Sequence, residues 1–400
     1  MSTPVAVPNT LLLFGALLLL GLIGAALANR SGRLPGITGM IFVGFLAGPS
    51  VLGLVSPTML GEARVFVDIA LGLILFQLGL LLDVRAFFSE RRTWLTALLE
   101  CLLTFAGVFA ALRGLKVEPL HAALAAAVAV SSSPAVLLMV ARELKASGVV
   151  TELSMRLVAF NNVAAFLLYT AILPFVHLEQ QAGWLTSLSG PLLQLAGSVL
   201  VGTGLAFVLV RLSRWLLPPE GGDAFVLVVA MVLISLGLAK SLPVSPLLVL
   251  LTLGLAARNI DSPEHLRSVQ FGRGGELFFL ILFVFAGANL HLDHLSQAIL
   301  PVLAFVLARA AAKWLACFLV LRGHGLATLP SATTGLTLVP MAGMAIGLVQ
   351  STETLYPEFA APLSAIVLGA VAVLETVGPI STEWALKRAG EVPAEAQLRH

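Results

Sequence analysis

The sequence predicts an all-α membrane protein with thirteen transmembrane helices, arranged as inverted repeats in which two helices are interrupted. Of its 400 residues, 58% are hydrophobic and 11% are charged, and the mean hydropathy is +1.01. Apolar runs of roughly 20 residues, the length that crosses a bilayer, recur along the chain. Proline and glycine breaks fall at matching places in its two halves.

The apolar spans follow one another with short polar connections, so we interpret residues 1–400 as a single transmembrane domain. The first run is too long and too lightly charged at its front for an ordinary signal peptide, which favours a retained helix. The predicted spans are 10–29, 34–55, 64–82, 93–113, 120–141, 153–175, 190–214, 222–239, 243–258, 274–290, 298–321, 326–350 and 359–384.

The distribution of basic residues predicts the orientation. Most of the 23 Lys and Arg residues follow odd-numbered spans, and few follow even-numbered ones. Cytoplasmic loops carry such an excess. We therefore expect the N-terminus outside and the C-terminus in the cytoplasm.

The two halves of the chain resemble each other in their break positions. Leu34-Pro35 opens span 2, and Leu242-Pro243 opens span 9. At nearly the same offset, the break at 131–134 in span 5 falls opposite 339–343 in span 12. Seven crossings separate the copies, so the second copy runs in the opposite direction. Many secondary transporters are built in this way.

The break in span 5 consists of three serines followed by Pro134. Proline removes a backbone donor, and serine caps helix starts, so one half-helix is predicted to end here and another to begin. Span 12 carries Pro340 and Gly343 at the matching depth. Two facing breaks would place helix ends and free carbonyls around a central ion site. The alternative interpretation is that the two breaks are simple proline kinks with no ion site between them. The polar residues of the first break are Ser131, Ser132 and Ser133.

Asn161 and Asn162 lie about eight residues into span 6, roughly 12 Å below the surface of the bilayer. Unpaired amides at that depth are costly and need partners. Their oxygens could help to coordinate a desolvated cation beside the serine break. They could equally hydrogen-bond a neighbouring helix as packing contacts.

Four charged residues are predicted at membrane depth. Arg309 and Lys313 lie one turn apart in span 11 and share a face, where their charges need an anion or a cavity. The repeat puts Glu100 of span 4 at the depth of Arg309, so the two could form an ion pair. Glu375 in span 13 is a second candidate partner, for Lys313 or for the breaks.

Several classes of function find no support in the sequence. No HExxH helix, phosphate loop or Ser-His-Asp arrangement is apparent, and all seven histidines are predicted in loops or at the terminus, so we expect no enzyme, cofactor or metal site. Cys101 and Cys317 sit inside apolar runs, which argues against a disulfide or a structural zinc site. The net charge of +2, without a basic patch, argues against a nucleic-acid partner.

Several stretches resemble the membrane domain of the monovalent cation–proton antiporter superfamily, the sodium–proton and Kef-type potassium–proton exchangers. The resemblance covers about residues 10–390 and rests on the order and spacing of the motifs. The stretches are LPGITGMIFVGFLAGPSVLGLVSP (34–57), FQLGLLLDVRAF (76–87), AVSSSPAVLLMVARELKASG (129–148), GLTLVPMAGMAIGLV (335–349) and ETVGPISTEWALKRAGE (375–391).

The resemblance implies the sodium–proton antiporter fold, with two discontinuous helices that cross, in a homodimer in the bacterial inner membrane. A core would move against a dimerisation scaffold in alternating access, exchanging a monovalent cation for a proton without a cofactor. The implied scaffold is about 10–82 and 222–290, the core is about 93–175 and 298–384, and the linker helix is 190–214.

In such exchangers an Asp-Asp or Asn-Asp pair on the sixth span binds the cation and the proton in competition, supported by Lys or Arg on the eleventh. The matching positions here are Asn161-Asn162, with Lys313 or Arg309 opposite, and Ser132-Ser133 replaces a common Thr-Asp. An amide does not titrate, so the usual proton carrier is absent.

Three hypotheses follow from this departure. A cation–proton antiporter would have to couple through Glu100, Glu375 or Lys313. The same fold could carry an anionic or neutral organic solute instead, because the basic pair lies beside amides. A non-transporting sensor or assembly subunit is the third, although no soluble domain is apparent that would relay a signal.

Overall fold

The computed structural model describes residues 10–31, 34–49, 51–55, 57–179, 184–216, 224–260, 272–288 and 298–393, and all regular secondary structure in these ranges is α-helical. A helix satisfies its own backbone polar groups, which apolar surroundings require. The helices are α1 (Thr10–Arg30), α2 (Gly36–Ala47), α3 (Pro57–Leu81), α4 (Val84–Ser89), α5 (Arg91–Gly114), α6 (Pro119–Val130), α7 (Pro134–Glu143), α8 (Val149–Glu179), α9 (Trp184–Leu216), α10 (Phe225–Ser241), α11 (Pro246–Asn259), α12 (Gly272–Ala288), α13 (Ile299–Gly323), α14 (Thr328–Thr337), α15 (Gly343–Leu355) and α16 (Pro357–Arg388).

Each predicted span overlaps one of these helices or, for spans 5 and 12, a pair of half-helices. By length and composition alone, six segments of the described residues could cross a membrane. They are Arg91–Gly114, Pro119–Glu143, Val149–Leu173, Leu192–Leu216, Ile299–Gly323 and Glu358–Arg388. The second of these contains the predicted break.

Some predicted boundaries are wrong. The sequence predicts that span 2 reaches residue 55, but α2 ends at Ala47, because the following Gly48-Pro49 cannot continue the helix. Residues 51–55 fold back instead, and the N–H of Val55 donates to the carbonyl of Ala47 at 3.0 Å. His121 and His177 lie within α6 and α8 rather than in loops.

The repeat is visible in the turns that follow α5 and α13. Arg113 Nη1 donates to the carbonyl four residues further on at 2.5 Å, and Arg322 makes the same bond at 3.1 Å. Both turns contain a residue with positive φ, which is +62° at Lys116 and +82° at Gly325. Arg322 follows Arg113 by the same number of residues as Gly325 follows Lys116, so both halves build the same helix–turn–helix unit.

Two further contacts between the halves depend on glycine. α2 packs against α12 and α3 packs against α11. A methyl group on Gly44 would overlap the carbonyl oxygen of Val284, and one on Gly254 would overlap that of Phe76. At both crossings the backbones touch, as small residues permit between apolar helices.

Candidate functional site

The two helix interruptions meet in the interior of the protein. The first is the segment 131–133 between α6 and α7, and the second is 338–342 between α14 and α15. The backbone N–H of Ser133 donates to the carbonyl of Pro340 at 2.8 Å, and Ser132 Oγ donates to the carbonyl of Leu338 at 2.9 Å. The predicted breaks are therefore real, and they are hydrogen-bonded to each other.

The local sequence explains the first interruption. Pro134 opens α7, where its missing N–H costs nothing, and Ser133 Oγ accepts the N–H of Val136 at 3.4 Å as the helix cap. Ser131 Oγ turns back to the carbonyl of Val128 at 2.8 Å. The second interruption has no such cap, because Ala342 precedes α15.

Arg309 of α13 joins the two helix ends. Its guanidinium is fully buried and carries donors in a planar fork. The C-terminal ends of α6 and α14 carry unsatisfied carbonyls and partial negative charge, which a cation offsets. The buried charge thus finds main-chain oxygens from both interruptions. The acceptors are the carbonyls of Ala129 (2.8 Å), Ser131 (2.6 Å), Leu338 (3.2 Å), Val339 (2.5 Å) and Pro340 (3.4 Å).

The ion pair of the site is made by Glu100 and Lys313. Lys313 Nζ lies 2.5 Å from Glu100 Oε1 and donates to the carbonyl of Val130 at 2.9 Å. Thr104 Oγ1 also donates to Glu100, at 3.1 Å. The expected pair between Glu100 and Arg309 is not formed. Glu100 and Arg309 occupy equivalent positions in the two repeats. Equivalent residues of two helices related by two-fold symmetry contact each other only near the symmetry axis.

Asn161 and Asn162 are completely buried beside the first interruption. Asn162 Nδ2 donates to the carbonyls of Ser132 and Val158, both at 2.9 Å. Asn161 Oδ1 accepts from Cys101 Sγ at 3.4 Å. Asn162 Oδ1 and Asn161 Nδ2 have no hydrogen-bond partner among the residues that the structure describes. Buried polar atoms without partners are costly, so these two amides are candidates for a ligand.

Glu375 lies on α16, outside the hydrogen-bonded network described so far. Its side chain is 2% exposed, and its Oε2 has no hydrogen-bond partner within the described ranges. Gly378, one turn further on, faces the second interruption, because a Cβ there would lie 2.8 Å from the Cα of Pro340. Among the described residues, Glu375 makes no ion pair, so it is not the partner of Lys313.

Sequence reasoning missed four polar residues around the crossing, which are Thr104, Cys101, Ser154 and Thr337. Thr104 and Cys101 contact Glu100, and Ser154 of α8 lies 2.5 Å from Thr337 of α14, oxygen to oxygen. The internal repeat could have indicated Thr104, because Thr104 occupies in the first repeat the position that Lys313 occupies in the second.

His121 lies at the opposite end of α6 from the crossing. Its Nδ1 is 2.7 Å from Glu118 Oε2, and its Nε2 is 2.8 Å from the carbonyl of Phe359. It lines a cavity of about 710 Å³ between the first turns of α6 and α13 and the start of α16. The remainder of the cavity wall is mostly apolar.

Comparisons with known proteins agree with this architecture. The sequence profile of the family described as "Sodium/hydrogen exchanger, transmembrane" matches residues 15–388. The structure of the sodium proton antiporter MjNhaP1 from Methanocaldococcus jannaschii at pH 8 superposes with a TM-score of 0.70 at 19% identity, covering 97% of this chain and 98% of that one. A structure of MjNhaP1 from an electron-microscopy map gives 0.70 at 18% identity, covering 97% and 96%. No protein with a curated description matches in sequence. At this identity the structural likeness establishes the fold.

Proposed function

Because the chain belongs to the sodium/hydrogen exchanger family, a family of membrane transporters rather than enzymes, we propose that it exchanges Na⁺ or K⁺ for a proton by alternating access. The observation that carries the proposal is the crossing of two interrupted helices with the unpartnered Asn162 Oδ1 beside it. Irregular backbone at membrane depth is tolerated where it is buried in protein or lines a cavity.

The proposed cation site lies beside the first interruption. The Nδ2 of Asn162 is held by two main-chain carbonyls, which leaves its Oδ1 as a free acceptor. Amide, hydroxyl and main-chain oxygens can replace the hydration shell of an alkali cation. The neighbouring polar residues that we include in the site are Asn161, Ser131, Ser132 and Ser133.

The buried charges are proposed to shape the site electrostatically. Arg309 offsets the partial charges of both helix ends, and Glu100 balances the charge of Lys313. A cation that approaches Asn162 therefore meets less repulsion than two bare basic side chains would produce.

The assembly and orientation are part of the same proposal. We propose a homodimer in the bacterial inner membrane, with the N-terminus outside and the C-terminus in the cytoplasm. Residues 10–82 and 222–290 would form the dimerisation scaffold, 93–175 and 298–384 the mobile core, and 190–214 the linker. The close glycine crossings of α2 with α12 and of α3 with α11 support a rigid scaffold.

An anionic or neutral organic solute is the second candidate, favoured by amides at the positions where related exchangers carry carboxylates. The contacts of the basic pair weigh against an anion. Arg309 is occupied by carbonyls, and Lys313 is occupied by Glu100 and the carbonyl of Val130.

The test is flux in liposomes that contain the full chain and a trapped pH dye. With an imposed proton gradient, adding Na⁺ or K⁺ should dissipate the gradient. No response to any monovalent cation between about pH 6 and 9, the range towards which burial moves the titration of carboxyl and lysine groups, would refute cation exchange. Thermal stabilisation by a carboxylate-bearing solute, with indifference to Na⁺ and K⁺, would favour the second candidate.

A further inference from the structure

Competition between a proton and a cation requires a group that alternates between charged and neutral forms. Neither amide of the proposed cation site can do this. Of the buried ionisable groups near the crossing, Glu100 and Lys313 are bound to each other at 2.5 Å. Glu100 also accepts from Thr104, and Lys313 also donates to a carbonyl, so a proton change on either would break an established network.

Glu375 has no comparable network. It belongs to a buried stripe of α16 with Val371, Gly378 and Thr382, spaced as one face of a helix. Gly378 brings this face against Pro340, whose carbonyl is one of the Arg309 acceptors. Glu375 therefore lies one turn from the contact between α16 and the second interruption.

The charged groups on the helices packed against α16 are engaged elsewhere. Arg309 binds the interruption itself, and Lys313 binds Glu100. Among the described residues, none lies within ion-pair distance of Glu375. The other described charged groups on these helices lie at their far ends, and they are Glu118 and His121 at the start of α6, Arg142 and Glu143 at the end of α7, and Arg322 at the end of α13. An ionised carboxylate in such surroundings is costly, and either a proton or a nearby cation removes the cost.

We infer that Glu375 is the group that carries the proton in the exchange, in place of the missing aspartates. This inference rests on the proposed function. With no cation bound, Glu375 is protonated; when the cation enters, the proton leaves to water on the side to which the site is open. One positive charge replaces one, so the exchange is electroneutral.

Glu375→Gln is the deciding substitution, because it keeps the shape of the side chain and removes the titration. Cation-driven proton flux should fall about tenfold or more, since an amide cannot release a proton. Glu375→Asp should keep flux but move its pH profile. Flux of the parent should not respond to a membrane potential set with valinomycin.

Glu383→Gln is the matched control. Glu383 lies two turns further along the same helix and is also buried, but it is paired with Lys387 at 2.5 Å. It should keep the flux and pH profile of the parent. Infrared difference spectra supply a second measurement: cation binding should remove a protonated-carboxyl band from the parent and from E383Q.

The outcomes separate the inference from the function beneath it. Parent-like coupled flux in E375Q refutes the role of Glu375 and leaves antiport standing. A parent that moves no cation refutes antiport first, and the inference with it. If E375Q does not fold, the protonated-carboxyl band in the infrared difference spectrum of the parent, and the shift of that band in E375D, test the inference instead. Absence of the band from the parent refutes the inference.

Discussion

Replacing Arg309 by methionine tests what holds the two helix ends together. The substitution keeps a long, flexible side chain and removes every donor. Three bonds of the guanidinium are 2.8 Å or shorter, to the carbonyls of Ala129, Ser131 and Val339. Each charged hydrogen bond contributes about 1.5–3 kcal/mol, and the cost of burying the charge offsets part of the sum. We expect a net loss of about 3–5 kcal/mol, as when one partner of a buried charged contact is removed.

The assay is the thermal unfolding midpoint of the purified protein in detergent. A loss of that size should lower Tm on the order of 5 °C in a chain of this length. Arg309→Lys, which keeps the charge but loses the planar fork, should fall between the parent and R309M. Arg322→Met is the control: this exposed residue at the end of the same helix donates to the carbonyl of Leu326 at 3.1 Å and to no other described residue. Its effect should stay within about 0.5 kcal/mol.

A Tm of R309M equal to that of R322M would refute the reasoning. The carbonyls of the two interruptions would then be satisfied without the guanidinium, and the helix ends would need another explanation for their contact.

Two further substitutions test the same region. Asn162→Asp places a carboxylate where the amide now donates to two carbonyls at 2.9 Å. Because the buried carboxylate should need a proton or a cation, Na⁺ or K⁺ should raise the Tm of this variant and strengthen its coupled flux. No change relative to the parent would mean that Asn162 does not face the site. Glu391→Gln weakens the cap of α8, where the carboxylate accepts from the N–H groups of Val150 (2.6 Å) and Thr151 (2.8 Å). We expect a loss of about 1 kcal/mol by thermal unfolding. Glu152→Gln, which removes an exposed first-turn charge that bonds no backbone N–H of the described residues, should lose about 0.5 kcal/mol or less, and equal losses in the two variants would contradict the capping role.

Most of the helical architecture could be predicted from the sequence, because a bilayer demands long apolar helices and leaves few alternatives. The interruption at 131–134 was predictable for a local reason: Pro134 cannot continue a helix, and Ser133 caps the next one. The repeat was predictable from break positions alone. The end of α2 at Gly48-Pro49 also has a local cause, but the fold-back of residues 51–55 onto it was not predicted, because it depends on hydrogen bonds such as that from Val55 N–H to the carbonyl of Ala47.

The partners within the site could not be predicted. Arg309 and Lys313 share one helix face only roughly 6 Å apart along the axis, and either could have met Glu100. The choice depends on how α5 crosses α13. The repeat places Glu100 and Arg309 at equivalent positions, but equivalent residues face each other only on the symmetry axis. Off the axis, Glu100 meets Lys313 instead.

The sequence by itself determined that this chain forms membrane-spanning helices and at which residues two of them break. It also determined that amides, at Asn161 and Asn162, stand in span 6 where the resemblance implies a carboxylate. These features follow from local properties of each segment, which are apolar length, missing donors and residue type. Only the tertiary structure decided that the broken ends bond to each other and to Arg309, and that Asn162 Oδ1 and Glu375 Oε2 find no hydrogen-bond partner in the part of the chain that the structure describes. Such contacts join residues far apart in the chain, and their geometry depends on the angles at which the helices cross.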